Sequence, residues 1–258
     1  MTVRMQLTNL TVTLDGHPAL VDISMKAGAG EFVGLVGPNG AGKSTMLRAS
    51  AGIVPVNQGA RMIGSDNLEA MTPIQRARRL AYLPQARPIF WSMPARAIVA
   101  LGRFAYGSAT APNAADDAAI DNALNEAGAD HLTDRPVATL SGGELARIHI
   151  ARTLAGETPI ILADEPIAAL DPAHQLSVMG LLRAKAASGR TVIAALHELS
   201  LAARYCTRLI VLDKGRIAAD GAPNDVLTTE LLRNVFNVAR SEAGNSAVSE
   251  FTLASTAS

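Results

Sequence analysis

The run Gly37-Pro38-Asn39-Gly40-Ala41-Gly42-Lys43-Ser44-Thr45 constrains the fold of this 258-residue chain more than any other. It follows an apolar, strand-like segment, Phe32-Val33-Gly34-Leu35-Val36, and opens helix-compatible sequence from Lys43 to Ala51. Strand, glycine-rich loop and helix in that order are the context that gives the GxxxxGK[ST] spacing its meaning. The glycines let the backbone curl so that successive N–H groups point at phosphate oxygens. The helix N-terminus adds its partial positive charge. Lys43 then sets a full charge on the terminal phosphates, and the Ser44 hydroxyl suits a Mg²⁺ ion. An ordinary glycine-rich turn is the alternative; at this length a chance match is roughly a one-in-a-hundred event.

A second segment, Ile160-Ile161-Leu162-Ala163-Asp164-Glu165-Pro166, reads as an apolar strand ending in two carboxylates. Such a strand delivers them to the C-terminal edge of a parallel sheet, where ligands bind. Asp164 suits a hydrated Mg²⁺, and Glu165 suits polarisation of an attacking water; helix capping by Asp164 is the bland alternative. A third segment is Leu140-Ser141-Gly142-Gly143-Glu144, with Arg147 in the helical sequence that follows. Ser141 and the glycines offer a hydroxyl and free N–H groups at a helix start, a second phosphate-binding arrangement. Ser141 and Glu144 also have capping-box spacing, and both roles can hold. One chain then carries two phosphate-binding helix starts for one terminal phosphate. A head-to-tail dimer resolves this, with each Ser141 loop closing on the nucleotide held by its partner's Lys43 loop. Gln85, in Ala81-Tyr82-Leu83-Pro84-Gln85, and His197, after the segment Thr191 to Leu196, complete the candidates. Taken singly, Gln85 reads as solvated and His197 as packing; their order along the chain raises both.

The organisation around these motifs is α/β. Strand character is expected at residues 3–14, 32–36, 160–163, 191–196 and 208–212, with a turn at Asp15-Gly16, a hairpin at Asp213-Lys214-Gly215 and a helix over Ala173 to Ala187. Strands alternating with helices argue for a mostly parallel, covered sheet. Residues 66–158 read as mostly helical, with an exposed loop at 107–119, so the middle third is a helical insertion in one α/β domain. Residues 225–237 are expected to form a helix, and the Ser/Ala/Thr-rich sequence from Ser241 a loose tail.

Composition narrows the function. Lys plus Arg and Asp plus Glu both number 23, so there is no net basic field to gather nucleic acid. A hydrophobic fraction of 48% against 18% charged residues excludes wholesale disorder. The single cysteine, Cys206, allows no intrachain disulfide and fits a reducing compartment. No apolar run reaches the roughly 18 residues of a membrane span, and the first ten residues lack the features of a secretory signal.

Together these residues resemble the ATP-binding subunit of an ATP-binding cassette (ABC) transporter over residues 3 to 237. The glycine-rich loop, Gln85, the LSGGE segment at 140–144, the Asp164-Glu165 pair and His197 occur in the family's order. The resemblance implies a P-loop NTPase (RecA-like) α/β core at 1–85 and 159–222, with an inserted helical subdomain at 86–158 and a flexible tail at 238–258. It implies ATP and Mg²⁺ as ligands and a homodimer sandwiching two nucleotides. Residues 37–45, Ser141, Gly142, Gly143 and Asp171 would contact nucleotide, and Ser44, Gln85 and Asp164 would hold Mg²⁺. Glu165 would be the general base, with Lys43, Gln85 and His197 completing the catalytic set; the loop Ala168-Ala169-Leu170-Asp171 would cross the dimer interface.

A finer resemblance lies in Val99-Ala100-Leu101-Gly102-Arg103-Phe104, in Leu196-His197-Glu198-Leu199 with Ala202-Ala203-Arg204-Tyr205, and in Val226 to Leu231 with Val235-Phe236. These look like subunits importing iron-siderophore, haem or vitamin B12. That group implies a separate integral membrane permease dimer, docked on Ala86 to Arg103 with Phe90, Trp91 and Phe104. It also implies an extracytoplasmic substrate-binding protein and a peripheral position on the cytoplasmic face of the inner membrane. Packing of the helical subdomain is the other reading of these aromatics. Several positions depart from the family pattern. Leu14 stands near the place of the aromatic that stacks on adenine, with His17 as a substitute; Ile167 and Ala168 replace Thr and Ser, Leu145-Ala146 replace a polar pair, and Glu198 replaces Asp. A soluble, non-transport ABC ATPase, for instance in iron–sulfur assembly, is the alternative function. A P-loop kinase or GTPase leaves LSGGE, Gln85 and His197 without a role.

Overall fold

The computed structural model describes residues 2–85, 93–107, 113–168, 170–240 and 251–253. The chain opens on a long hairpin, β1 (Val3–Leu14) and β2 (His17–Gly28), then β3 (Phe32–Val36), α1 (Lys43–Ser50), β4 (Gln58–Ile63), β5 (Asp66–Asn67), α2 (Pro73–Ala77) and β6 (Leu80–Leu83). A helical stretch follows, α3 (Ala95–Ala100), α4 (Ala114–Glu126) and α5 (Gly142–Ala155), with short 3-10 turns between. The chain then alternates through β7 (Ile160–Asp164), α6 (Pro172–Ala187), β8 (Thr191–Ala195), α7 (Leu199–Tyr205), β9 (Arg208–Asp213) and β10 (Arg216–Gly221). It ends with α8 (Pro223–Val226), α9 (Thr229–Leu231), β11 (Val238–Arg240) and β12 (Phe251–Leu253).

Six strands form the central sheet in the order β10-β9-β3-β8-β7-β6. Its five strands from β9 to β6 are parallel, and β10 closes the edge antiparallel through the Lys214-Gly215 turn, both residues at positive φ. Every residue of β3, β7 and β8 is buried, as a strand covered on both faces requires. Successive side chains alternate between two cores. Phe32, Val36, Ala163, Val192 and Ala194 pack under α3, α4, α5 and α6. Val33, Leu35, Leu162, Ile193 and Ile210 face α1 and a second sheet. That second sheet, β2-β1-β4-β5, is antiparallel.

The predicted strands 3–14, 32–36, 160–163, 191–196 and 208–212, the two turns and the helix over 173–187 lie where expected, within one residue at each end. Other expectations need correction. Residues 66–158 are mostly helical as expected, but they also hold the short strands β5 and β6, which pair with β4 and β7. Residues 114–119 belong to α4, whose start Asn113 caps by accepting from Ala115 and Asp116 N–H; residues 108–112 lie outside the described residues. The expected helix at 225–237 is broken. The Thr228 hydroxyl caps a fresh turn at Leu231 N–H, a π-turn spans Leu232–Phe236, and Asn237 ends it in the left-handed region. Within the expected tail, Val238–Arg240 pairs with Phe251–Leu253.

Arg103 pins the helical stretch together. Its buried guanidinium meets the buried Asp116 carboxylate at 2.8 Å, reaches Glu157 at 2.8 Å and stacks 4.0 Å from the Tyr106 ring centroid.

Candidate functional site

The loop from β3 to α1 depends on glycine at its two ends. Gly37 has φ +152°, and a Cβ there would meet the Leu212 carbonyl oxygen at 2.2 Å. Gly42 has φ +103° and would bring a Cβ to 2.8 Å from the Ala19 carbonyl oxygen. Gly42 is also the N-cap of α1 and offers no side chain to cap it. The first N–H groups of α1 are therefore left for another acceptor, as at an anion-binding helix start. Lys43 folds back over the loop and donates to the Gly37 carbonyl at 2.7 Å and the Pro38 carbonyl at 3.0 Å. It is 5% exposed. Burial pushes its pKa below the ordinary lysine value, and the Glu165 and Asp164 carboxylates oppose that shift. A desolvated cation held on neutral carbonyls gains most from an anionic ligand.

β7 brings its two carboxylates to the same edge. Asp164 is fully buried. Its Oδ1 accepts from Ser44 Oγ at 2.8 Å, and its Oδ2 accepts from the Tyr82 hydroxyl at 3.1 Å. Burial raises the Tyr82 pKa further above neutrality, so the hydroxyl is the donor. Glu165 follows at φ +50°, in the left-handed region, a conformation that costs a non-glycine residue about 1–3 kcal/mol and clusters at functional sites. That reversal sets its carboxylate between two partners. Gln85 Nε2 donates to Oε2 at 2.7 Å, and His197 Nε2 lies 2.5 Å from Oε1.

The structure thus brings together the loop, Gln85, Asp164, Glu165 and His197. Asn39, Gly40, Gly42, Lys43, Ser44, Thr45, Gln85, Glu165, His197 and, from β2, Ala19 line one cleft of about 670 Å³. Ser141, Gly142, Gly143 and Asp171 do not line it. Ser141 caps α5, and a complete capping box joins it to Glu144. Asp171 caps α6 by accepting from His174 N–H, and its other oxygen pairs with the His174 ring. Leu14 and His17 sit opposite each other at the hairpin end, and neither lines the cleft; Ala19 is the hairpin's contribution. The segment 86–92, with Phe90 and Trp91, and Ala169 lie outside the described residues.

Ser44 and Asp164 present hydroxyl and carboxylate oxygen side by side, the hard-oxygen donor set that Mg²⁺ takes when phosphates supply other ligands. No cluster of three or more His, Cys, Asp or Glu side chains able to hold a metal occurs among the described residues. Tyr82 is the residue that sequence reasoning passed over. Its only signal is a phenol in the otherwise apolar run Leu80–Leu83, three residues before Gln85.

The sequence pattern that defines ABC transporters matches residues 20–168, which include the loop, Gln85, the Ser141 segment and the Asp164-Glu165 pair. This chain belongs to the ABC transporter family. It is 44% identical to the hemin import ATP-binding protein HmuV of Rhodococcus jostii, over 91% of this chain and 80% of that protein. It is 38% identical to the cobalamin import ATP-binding protein BtuD of Halobacterium salinarum, over 90% of this chain and 58% of that protein. Among solved structures, a chain described as part of a metal-chelate type ABC transporter in an inward-facing conformation superimposes with a TM-score of 0.83 at 26% identity. That match covers 98% of this chain and 97% of the other. The ABC chain is an ATPase, the motor subunit of an importer. Subunits of this kind work with a membrane permease, and no helix among the described residues is long and apolar enough to cross a membrane.

Proposed function

We propose that this chain binds MgATP in the cleft, hydrolyses it across a homodimer, and drives import of haem, cobalamin or an iron-siderophore through a membrane permease. The observation that carries this reading is the Glu165 carboxylate, held between Gln85 and His197 at the mouth of the Lys43 loop. Lys43 leaves the two carbonyls for the β- and γ-phosphate oxygens, where its charge is better compensated. Free backbone N–H groups within residues 39–45 hold the remaining phosphate oxygens. Ser44 and Asp164 would hold Mg²⁺, with Gln85 nearby, and the ion would supply neutralisation of phosphate charge. Glu165 accepts a proton from water as the water oxygen bonds to the γ-phosphorus and the bond to the leaving ADP oxygen breaks. His197, beside Glu165, donates to the γ-phosphoryl oxygens as their charge redistributes.

The Ser141–Gly143 helix start faces the nucleotide of a second copy, and Asp171 lies at that interface. The core (1–85 and 159–222) and the helical subdomain (86–158) then move relative to each other on closure. The exposed Phe104, 72% accessible, and the segment 86–103 receive the permease; aromatic side chains are favoured at such surfaces. The subunit is peripheral on the cytoplasmic face, and cargo reaches the permease from an extracytoplasmic binding protein. The haem and cobalamin relatives support this cargo class.

Glu165→Gln tests the chemistry. Hydrolysis is expected to fall at least about a hundredfold, the scale of a lost general base, while ATP binding persists and gel filtration shows an ATP-dependent dimer. Hydrolysis at the parental rate removes Glu165 as the base. For cargo, the complex reconstituted in vesicles with permease and binding protein is expected to hydrolyse ATP faster when loaded with haem, cobalamin or a ferric siderophore. Equal rates with and without each cargo reject the assignment, and a soluble partner purifying in place of a permease favours the non-transport alternative.

A further inference from the structure

Tyr82 belongs to none of the family motifs met in the sequence, yet it touches the Asp164 carboxylate. The oxygens of Asp164 are divided between two donors, Ser44 at 2.8 Å on Oδ1 and the Tyr82 hydroxyl at 3.1 Å on Oδ2. The charge of Arg48, on α1, opposes the upward shift that burial gives the Tyr82 phenol. Ser44 and Arg48 both lie on α1, four residues apart and so on one face of that helix. The contacts join three elements: α1 through Ser44 to β7 at Asp164, and β7 through Asp164 to β6 at Tyr82.

We propose that Tyr82 is a positioning residue for the metal site. It fixes the rotamer of Asp164 so that Oδ1 stays beside the Ser44 hydroxyl, where the divalent cation of the nucleotide is held. Without the phenol hydroxyl, Oδ2 of a fully buried carboxylate loses a donor. The group then gains by rotating toward other donors, and its alignment with Ser44 is lost. The same strand exit leads through Pro84 to Gln85, which holds Glu165. Residues 82 and 85 thus position the metal-side and water-side carboxylates respectively. The inference rests on the proposed assignment of Ser44 and Asp164 to Mg²⁺, and the test separates the two.

Tyr82→Phe keeps the ring and removes only the hydroxyl. In the full-length chain, Mn²⁺ binding to the complex with a non-hydrolysable ATP analogue is read by electron paramagnetic resonance, and nucleotide affinity is read separately in EDTA. Mn²⁺ affinity is expected to drop about tenfold, the lower edge of what losing an outer-shell partner costs a metal site. Affinity in EDTA stays within about twofold, because the loop and Lys43 are untouched. Unchanged Mn²⁺ affinity in Tyr82→Phe overturns the proposal. So does an equal loss with and without metal, which marks the hydroxyl as structural only. Asp164→Asn is the control: if it leaves Mn²⁺ affinity unchanged, the metal assignment itself fails, whereas a loss in Asp164→Asn without one in Tyr82→Phe rejects only the role of Tyr82.

Discussion

Two helix starts in this molecule, at Gly42 and at Ser141, are finished differently. α1 begins at Gly42, with no side chain to cap it and a desolvated Lys43 beside it. α5 begins at Ser141, whose hydroxyl accepts from Glu144 N–H while the Glu144 carboxylate accepts from Ser141 N–H. The first start is incomplete until a ligand arrives; the second is complete within its own chain. This fits a division of labour. In the function proposed above, the α1 end binds nucleotide in the single subunit. In the same proposal the α5 end is stable while no nucleotide faces it and exchanges its internal hydrogen bonds for phosphate contacts on dimer closure.

The largest expected effect breaks the α1 side. Lys43→Ala removes the charge that balances the terminal phosphates, and phosphate release is expected to fall by at least about a hundredfold, as for loss of a preorganised charge stabiliser. The fold should persist, because Lys43 makes its two hydrogen bonds to loop carbonyls and none to another element. Substantial retained turnover in a phosphate-release assay sinks the assignment of this loop to the nucleotide.

The contrast also explains what could be read without a structure. The α1 loop is legible because its backbone excludes side chains at Gly37 and Gly42, so the steric demand appears directly as residue identity. The Asp164-Glu165 pair is legible because it interrupts a fully buried apolar strand. The second sheet is harder. In β2 the buried positions run Leu20, then Ile23, Met25 and Ala27, because the alternation slips by one near Asp22, at φ +56°. β4 begins on three exposed residues, Gln58 to Ala60, and β6 has only four residues, packed against β7. β4 and β6 take their pairing from β1 and β7, distant in the chain, and a short window does not contain them. Tyr82 shows the same limit within the site, since a phenol in a strand reads as packing until its neighbour across the sheet is known. Asp171 shows the reverse, because its visible work in the single chain is capping α6 and pairing with His174.

A medium effect separates the two roles of Ser141. Ser141→Ala removes the cap and the phosphate-facing hydroxyl together. It is expected to lower stability by about 1 kcal/mol and hydrolysis by about tenfold, the scale of one charge-assisted hydrogen bond. Ser141→Asp keeps a good capping residue but sets a negative charge toward the partner's phosphates. Thermal melts of this variant are expected to match the parent within about 0.5 kcal/mol, while its hydrolysis falls further than in Ser141→Ala. If Ser141→Asp hydrolyses ATP as the parent does, Ser141 is only a cap, and the two helix starts differ in function as well as in finish.

The smallest effect concerns Glu144, which completes the α5 box. The Ser141 N–H holds its carboxyl below the ordinary glutamate value of 4.5, assisted by the Ser141 hydroxyl and by Arg135. A carboxylate whose folded-state pKa is depressed stabilises the folded chain above its ordinary value. That stabilisation is lost as pH falls through the folded-state value. Glu144→Gln keeps a residue that can close a capping box but does not titrate. The melting temperature of the parent should therefore exceed that of Glu144→Gln at neutral pH, and the gap should narrow as pH drops below 4.5. The group is open to solvent, so the gap is small and shrinks in high salt. A gap independent of pH would mean that the α5 start is held by hydrogen-bond geometry alone. The charge of Glu144 would then be free to act elsewhere, as a negative group beside the phosphate that Ser141 receives.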